Sequence, residues 1–372
     1  RPRLCRRWLR MQLKKPIGAT LATATCGLLG ALPAMPAAAQ EVGKWEVNTS
    51  LLYYGESDDR VTDGSVMASI RRALDEDRSI NLSLTVDTLT GASPNGAVPA
   101  NGVQTFTSAS GGKSYDVAPG DQPLDPTFLD TRYAISGNWQ QALGEASRWN
   151  IGFSGSDEYD YLHIGVNTRF EFDFNRRNTT VFFGAAYAQD EVDPVGGTPI
   201  GFSPMPGESE DEDEDEDEDG EGGSGEDKDV VDVLVGVTQV LSRRSLVEVA
   251  FSYGKSDGYL TDPYKLLSVV DPVSGQPVPG PEPGINLYLF EQRPDSRAKT
   301  SAFIEWRYAF DRDSLALNYR FMDDDWDIQS HTVEARYRWN INDNSYLEPH
   351  VRYYQQTAAD FFRTVLFDGD PL

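Results

Sequence analysis

The side chains able to do chemistry fall into three sets: charges spaced two apart, three histidines, and one unbroken run of carboxylates. The first set is Arg169, Glu171, Glu305, Arg307, Arg320, Glu334, Arg336, Arg338, Glu348, His350 and Arg352. At that spacing charges of both signs share one face of a strand. If the face lines a watery path they set its field and ion preference; if not, they pair across strands as filler. His163, His331 and His350 are the only histidines. A hydrolase needs a histidine beside a serine and an orienting carboxylate or amide. Ser330 and His331 are adjacent in an extended segment and so point to opposite faces. No catalytic residue is expected, and the chain is read as a non-enzyme.

Residues 210–219 are ten consecutive carboxylates. Asp215, Asp217, Asp219 and Glu226, with Gly220 for the turn, match the spacing of a calcium loop. Residues 222–227 match the start of a calcium-binding nonapeptide, in a single copy. Any acidic repeat followed by glycines matches such patterns, and flanking helices are missing. The favoured reading is a solvated loop that repels itself into extension, with loosely bound calcium the one cofactor allowed for. Gly112-Lys113-Ser114 resembles the end of a phosphate loop but lacks its first glycine, and is set aside.

Strands must position these groups. Fourteen segments alternate apolar and polar residues with period two: 45–54, 65–73, 79–88, 131–141, 148–156, 160–174, 179–188, 230–241, 246–254, 298–310, 314–322, 328–339, 346–355 and 361–367. In 328–339, for example, Val333, Ala335, Tyr337 and Trp339 oppose Thr332, Glu334, Arg336 and Arg338. Aromatics such as Trp45, Trp139, Trp149, Tyr187 and Trp339 gather at segment ends, as bilayer interfaces favour. Connections switch between tiny ones (74–79, 142–147, 175–178, 242–245, 311–313, 340–345) and long ones (88–130, 189–229, 255–297). Such asymmetry predicts an all-β chain: a transmembrane antiparallel up-and-down β-barrel with short periplasmic turns and long external loops. A β-sandwich also alternates, but does not keep Phe, Tyr and Trp on one face and Arg and Glu on the other over so many strands. The chain stops in a loop-like 368–372 with no closing strand. The expectation is therefore about 14 strands here and 16 in the complete protein.

Residues 1–39 read as an upstream extension plus a signal peptide. Lys14 and Lys15 precede an apolar stretch and the small residues Ala37, Ala38 and Ala39. Residues 40–372 then form the barrel, with an acidic insert at 208–229. Both cysteines, Cys5 and Cys26, fall in the leader, which excludes thiol chemistry and disulfides from the rest. Seven basic residues also fall there, leaving 26 against 59 acidic ones, a net charge of −33. So acidic a surface excludes nucleic acid as a partner and suits cations.

Several stretches resemble a family of uncharacterised Gram-negative outer-membrane proteins, domain of unknown function 3570. They include Thr90-Gly91-Ala92-Ser93-Pro94, Ser154 with Glu158 and Asp160-Tyr161, and 258–265 with Asp262, Pro263, Tyr264 and Lys265. Arg293 to Arg297 with Asp295, then Asp325-Trp326, Ser330-His331-Thr332 and 352–356 complete the set. The likeness implies an outer-membrane barrel without an assigned activity, near envelope lipoproteins and redox proteins. Asp262, Pro263, Tyr264, Lys265, Arg293, Asp295, Arg297, Asp325 and Trp326 are its loop-motif candidates. The functional expectation is a porin-like channel or transport component with a charged lumen. The alternative is a structural or receptor barrel whose loops engage an envelope partner. Lipid, lipopolysaccharide and the barrel-assembly machinery are the other partners expected.

Overall fold

The computed structural model describes residues 42–55, 61–107, 114–194, 197–206, 225–281 and 283–370. Nineteen strands and no helix occur among them. In chain order they are β1 (Trp45–Gly55), β2 (Val61–Ala73), β3 (Arg78–Pro94), β4 (Gln104–Thr107), β5 (Ser114–Val117), β6 (Leu124–Ala142), β7 (Ser147–Asp157), β8 (Tyr161–Phe174), β9 (Thr179–Val192) and β10 (Glu226–Ser242). There follow β11 (Ser245–Gly258), β12 (Leu266–Val270), β13 (Tyr288–Phe290), β14 (Ser296–Ala309), β15 (Ser314–Asp324), β16 (Gln329–Asn342), β17 (Ser345–Leu347), β18 (His350–Gln356) and β19 (Leu366–Phe367). The long strands form one antiparallel 14-stranded sheet in consecutive order, β1-β2-β3-β6-β7-β8-β9-β10-β11-β14-β15-β16-β17, with β18 also on β16. β17 and β18 are one strand interrupted at Glu348-Pro349, since proline has no N–H for the ladder. Its edges are β1 and β17–β18.

The two faces of this sheet invert the usual rule for water-soluble proteins. On one face Ile164, Val166, Val235 and Phe251 are 52–60% exposed, while on the other Asp232, Glu305, Asp190 and Lys228 are 2–5% exposed. No second layer of long strands or helices covers either face among the described residues. A buried face on a single layer means that the sheet curls around it. Apolar residues also enter that inner face: Phe182, Ala186, Leu234 and Ala250 make a small cluster on β9, β10 and β11.

Thirteen of the fourteen expected segments are strands of this sheet, generally longer than expected at the loop side. β9 and β10, for instance, continue pairing to Val192↔Glu226. Alternation ends where the apolar band ends, but the backbone ladder needs no apolar side chains and runs on. The segment 361–367 is a correction. Only Leu366–Phe367 is extended, and it joins β12 in parallel through Val269↔Leu366. The reason is visible in its residues: Phe361-Phe362 and Val365-Leu366-Phe367 are adjacent apolar runs, which cannot divide between two faces.

The long connections fold together at one end of the sheet. β4 pairs β5, and β13-β12-β19 form a three-stranded sheet. Backbone N–H groups of Leu266 and Met205 donate to the carbonyls of Asn95 (2.7 Å) and Tyr288 (2.9 Å), tying three connections into one cap. Its core is Ala97, Phe106, Tyr115, Val117, Leu266 and Tyr288, with Phe106 fully buried. A second cluster joins Val269, Leu289 and Leu366. Phe106→Ala should therefore cost the cap about 3–5 kcal/mol while leaving the long strands paired. Limited proteolysis should show faster cleavage in 95–123 and 259–290 with unchanged protection of β7–β11; equal loosening of both would contradict a separate cap.

Candidate functional site

Register places the charges of the inner face in two belts. The turn-side belt begins with Arg148 on β7, whose guanidinium meets Asp173 at 2.6 Å and Glu171 at 3.0 Å on β8. Asp173 also accepts from Thr180 Oγ1 at 2.7 Å. Arg169 lies 3.0 Å from Glu171 and stacks 3.9 Å from the ring centre of Phe182. Farther round, Glu305 pairs with Arg307 beside it and with Arg336 at 3.7 Å. Asn318 links Glu305 to Glu334, which in turn holds Arg352 at 3.3 Å and His350 at 3.6 Å. Arg320 and Arg338 pack over the rings of Phe303 and Tyr346. Glu348 sits exposed at the break between β17 and β18. Thus most of the expected inner-face charges meet, but in two groups on separate arcs. Arg148, which completes the first group, was not among them, though its parity on β7 matches that of Glu171 through the pair Arg148↔Glu171.

The loop-side belt is a second network. Asp190 on β9 accepts from His163 Nδ1 at 2.6 Å and from Tyr161 at 2.5 Å, and pairs with Lys228 at 2.9 Å. Lys228 Nζ also donates to Tyr161 Oη at 2.7 Å. His163 Nε2 lies 3.0 Å from Ser154 Oγ. The carboxylate thus holds the ring by Nδ1 and turns Nε2 toward that hydroxyl. Arg297 donates to Asp324 on the neighbouring strand, and Arg132 to Asp87.

The loop-motif residues act as anchors between cap and wall. Asp262 caps Tyr264 N–H at 3.0 Å, and its own N–H donates to Glu291, which pairs with Arg293 at 2.6 Å. Pro263 follows within the same turn, and Lys265 Nζ donates to the carbonyl of Pro94 at 2.5 Å. The Asp295 carbonyl accepts from Gly258 N–H, and Asp325 from Ala298 N–H. Trp326 is buried, donates to the Ser296 carbonyl at 3.0 Å and lies under Arg297. A stretch this fixed in geometry invites a family assignment. The family model described as protein of unknown function (DUF3570) matches residues 18–372. The chain belongs to this family.

No curated protein matches the chain. Among solved structures, the ferric enterobactin receptor PfeA of Pseudomonas aeruginosa with enterobactin aligns at TM-score 0.36 and 9% identity, over 84% of this chain and 44% of that one. The siderophore receptor PirA of Acinetobacter baumannii gives 0.34 and 12%, over 82% and 42%. The ferric yersiniabactin uptake receptor FyuA of Yersinia pestis gives 0.35 and 10%, over 85% and 57%. The chain spans less than two thirds of each, and at such scores the likeness carries no function across.

Other expected sites stand apart from these networks. Asp215, Asp217 and Asp219 lie outside the described residues, as does the leader; Glu226 opens β10 and is exposed. His331 faces the exposed side, 2.7 Å from Tyr319 Oη, whereas Ser330 is buried, so the two diverge as expected. Asp190 and Lys228 escaped the sequence reading, and Ser154 and Tyr161 entered it only through the family resemblance, with no chemical role. The signal that could have found them is the three-residue turn 158–160, which sets β7 against β8 and so Ser154 beside His163.

That turn carries the most perturbed carboxylates outside the strands. Burial, then the charge of Asp130, pushes Glu158 from its ordinary 4.5 up to about 8. The same two causes push Asp160 up to about 6. A raised carboxylate holds a proton in the folded state that the unfolded chain releases. Its stabilising effect is complete at acid pH and disappears as pH rises through the folded value. Cleavage susceptibility at 157–161 should hence increase between about pH 5 and 8 in the wild type, and the rise should flatten in Glu158→Gln. Identical profiles for the two proteins would contradict the assignment.

Proposed function

We propose that the chain is an outer-membrane β-barrel of a Gram-negative bacterium, working as a transport component with a charged lumen beneath a folded external cap. The observation that carries this reading is the inverted burial of the sheet: large apolar side chains exposed, ion pairs enclosed. In water such a surface would be a vast apolar patch; in a bilayer it is the lipid face. The apolar band is bounded as a bilayer would bound it. On β9 to β11 it comprises Val181 to Tyr187, Val231 to Val237 and Val247 to Tyr253 on alternate residues. Gln189, Asp229 and Lys255 follow on the loop side. Trp306, Tyr308, Phe310 and Tyr337 form a continuous aromatic row at the turn side, and Trp149, Phe170 and Phe183 another. Both rows lie toward the turn side, where they form the girdle of one interface. Edges cannot remain unpaired in lipid, so β1 and β17–β18 must find strand partners there.

The lumen side supports transport of a small polar or ionic solute. It carries fixed charges of both signs, and the chain's acidity favours cations at the mouth. Lipid, lipopolysaccharide and the assembly machinery of such barrels are the partners this reading brings, and it calls for no cofactor. A second reading, a receptor or structural barrel, is favoured by one observation. The cap has its own core and borders a partly open cavity of about 710 Å³ beside Phe106, Met205, Pro283 and Tyr288. An envelope lipoprotein or redox protein is the partner class in that case.

Planar-bilayer recording on the full chain separates the two: steady, cation-preferring steps support transport, and silence supports the receptor. The membrane reading itself is checked by two single charges. Val235→Arg, on the exposed apolar face, should cost about 2–4 kcal/mol and impair insertion into lipid vesicles. Ser136→Arg, at an exposed position on the inner face, should insert normally. Equal insertion of both variants would remove the lipid face from the argument.

A further inference from the structure

The Ser154–His163–Asp190 constellation goes beyond any transport role. We propose that it is a serine-hydrolase triad that cleaves small carboxylic esters at the loop-side end of the inner face. It needs only the strand register, and so stands whether or not the lumen conducts.

Three successive strands build it. His163 opposes Asp190 across β8 and β9, and Ser154 opposes Gly165 across β7 and β8. His163 opposes Ser156, one step along the inner face, so Ser154 reaches its ring on the diagonal. The chain of contacts runs Ser154 Oγ to His163 Nε2 at 3.0 Å, then His163 Nδ1 to Asp190 Oδ1 at 2.6 Å. Nucleophile, base and orienting carboxylate thus have the roles and geometry that acyl transfer requires. Asp190 is fixed more firmly than an ordinary ion-pair partner. Its second oxygen takes Tyr161 and Lys228, which leaves Oδ1 committed to the imidazole.

Two features distinguish the arrangement from a buried polar staple. Gly165 lets hydroxyl and ring meet over the strand: a Cβ there would sit 2.8 Å from Ser154 Oγ and 3.2 Å from His163 Nε2, too close for both to keep their places. Access is graded in the right direction as well. Asp190 and His163 are buried, Ser154 is half-buried, and Ser136, its partner on β6, is exposed. Asn138 and Asn167, both opposite Gly152, share the inner face two residues along β7, and in the proposed site their amides would donate to the carbonyl oxygen. With the ring and carboxylate buried and the hydroxyl only half-buried, the site admits a small acyl group.

The reaction balances with water as the only co-reactant. Ser154 Oγ forms a bond to the ester carbon as its proton passes to His163 Nε2. The bond to the leaving oxygen then breaks, and that oxygen takes the proton from Nε2. Water attacks the acyl-serine, gives one proton to Nε2, and the acid departs as Ser154 recovers that proton.

The test uses the full chain in detergent with p-nitrophenyl acetate as substrate and a fluorophosphonate as covalent probe. Peptide mass spectrometry should place the adduct on Ser154. Ser154→Ala should lose the adduct and at least about 100-fold in turnover, with Ser154→Ala/His163→Ala no slower than Ser154→Ala alone, as in groups acting as a unit. Ser156→Ala should retain both. Ser154→Cys gives a readout that a structural role would not move. Its alkylation by iodoacetamide should proceed below pH 7 and depend on His163, whereas an unassisted thiol reacts above about pH 8. Absence of a Ser154 adduct, with hydrolysis equal to that of Ser154→Ala and circular dichroism unchanged between them, would overturn the proposal.

Discussion

Everything in this molecule depends on one unbroken ladder of backbone hydrogen bonds. A one-residue slip in any strand would move its entire set of side chains to the other face. The register shifts that do occur, at Gly91/Ser93, Val240/Ser242 and Asn340/Asn342, sit at strand ends and spare the apolar band. Parity set by one tight turn is therefore inherited by the next strand, from Trp45 to Gln356. Burial of Asp173, Asp190, Glu305 and Asp324 on the shared face is tolerable because each meets a cation across a rung or along its own strand. Removing one partner of such a buried pair costs far more than the pair contributes, because the other charge is left uncompensated. The ladder comes first, and the charge pattern is admissible only on it.

Most of the wall was legible in the sequence because period-two alternation reports directly on two different surroundings. Val333 and Tyr337 against Glu334 and Arg336 could be assigned to faces without knowing any neighbour. What was not legible is which strand's charges meet. Arg169 and Arg336 read alike, yet one lies on Phe182 and the other reaches Glu305, because partnership depends on lateral register rather than on spacing within a strand. The partnership of Ser154 with His163 and Asp190 was hidden for the same reason. Each has an ordinary environment in its own strand and acquires chemistry only across a rung. Segment 361–367 failed differently: its apolar content suggested a strand, but adjacency rather than alternation marked it for a packed cluster.

The cap shows how long connections become structure instead of remaining loops. Alternation gives no guide to them, since their residues pack in three dimensions around Phe106 and Tyr288 rather than on a pleated face. The family-like motifs acquire a physical meaning there. Asp262, Lys265 and Asp295 satisfy backbone groups where the strands end and the cap begins, Arg293 pairs with Glu291 beside them, and Trp326 seals the corner under Arg297. Motif residues of this kind hold a lid at a set height above the wall. Their rigidity is positional: it defines where the mouth is.

That mouth is uneven, and the unevenness links the two belts of charge. Three loop-side connections are long, but β7 and β8 are joined by only 158–160, so no long connection rises from the wall beside Ser154. On the proposed reading, a solute passing under the cap at this point would meet Glu158 and Asp160 first, and then the hydroxyl held by His163. Carboxylates that keep their protons in mildly acidic surroundings present a nearly neutral threshold there, and become a negative one as they ionise. The neutral ester of the proposed reaction would cross either threshold, whereas its carboxylate product would be repelled by the ionised one. The same short turn that brings Ser154 to His163 would thus bias product away from the rim and toward the arginines of the turn-side belt.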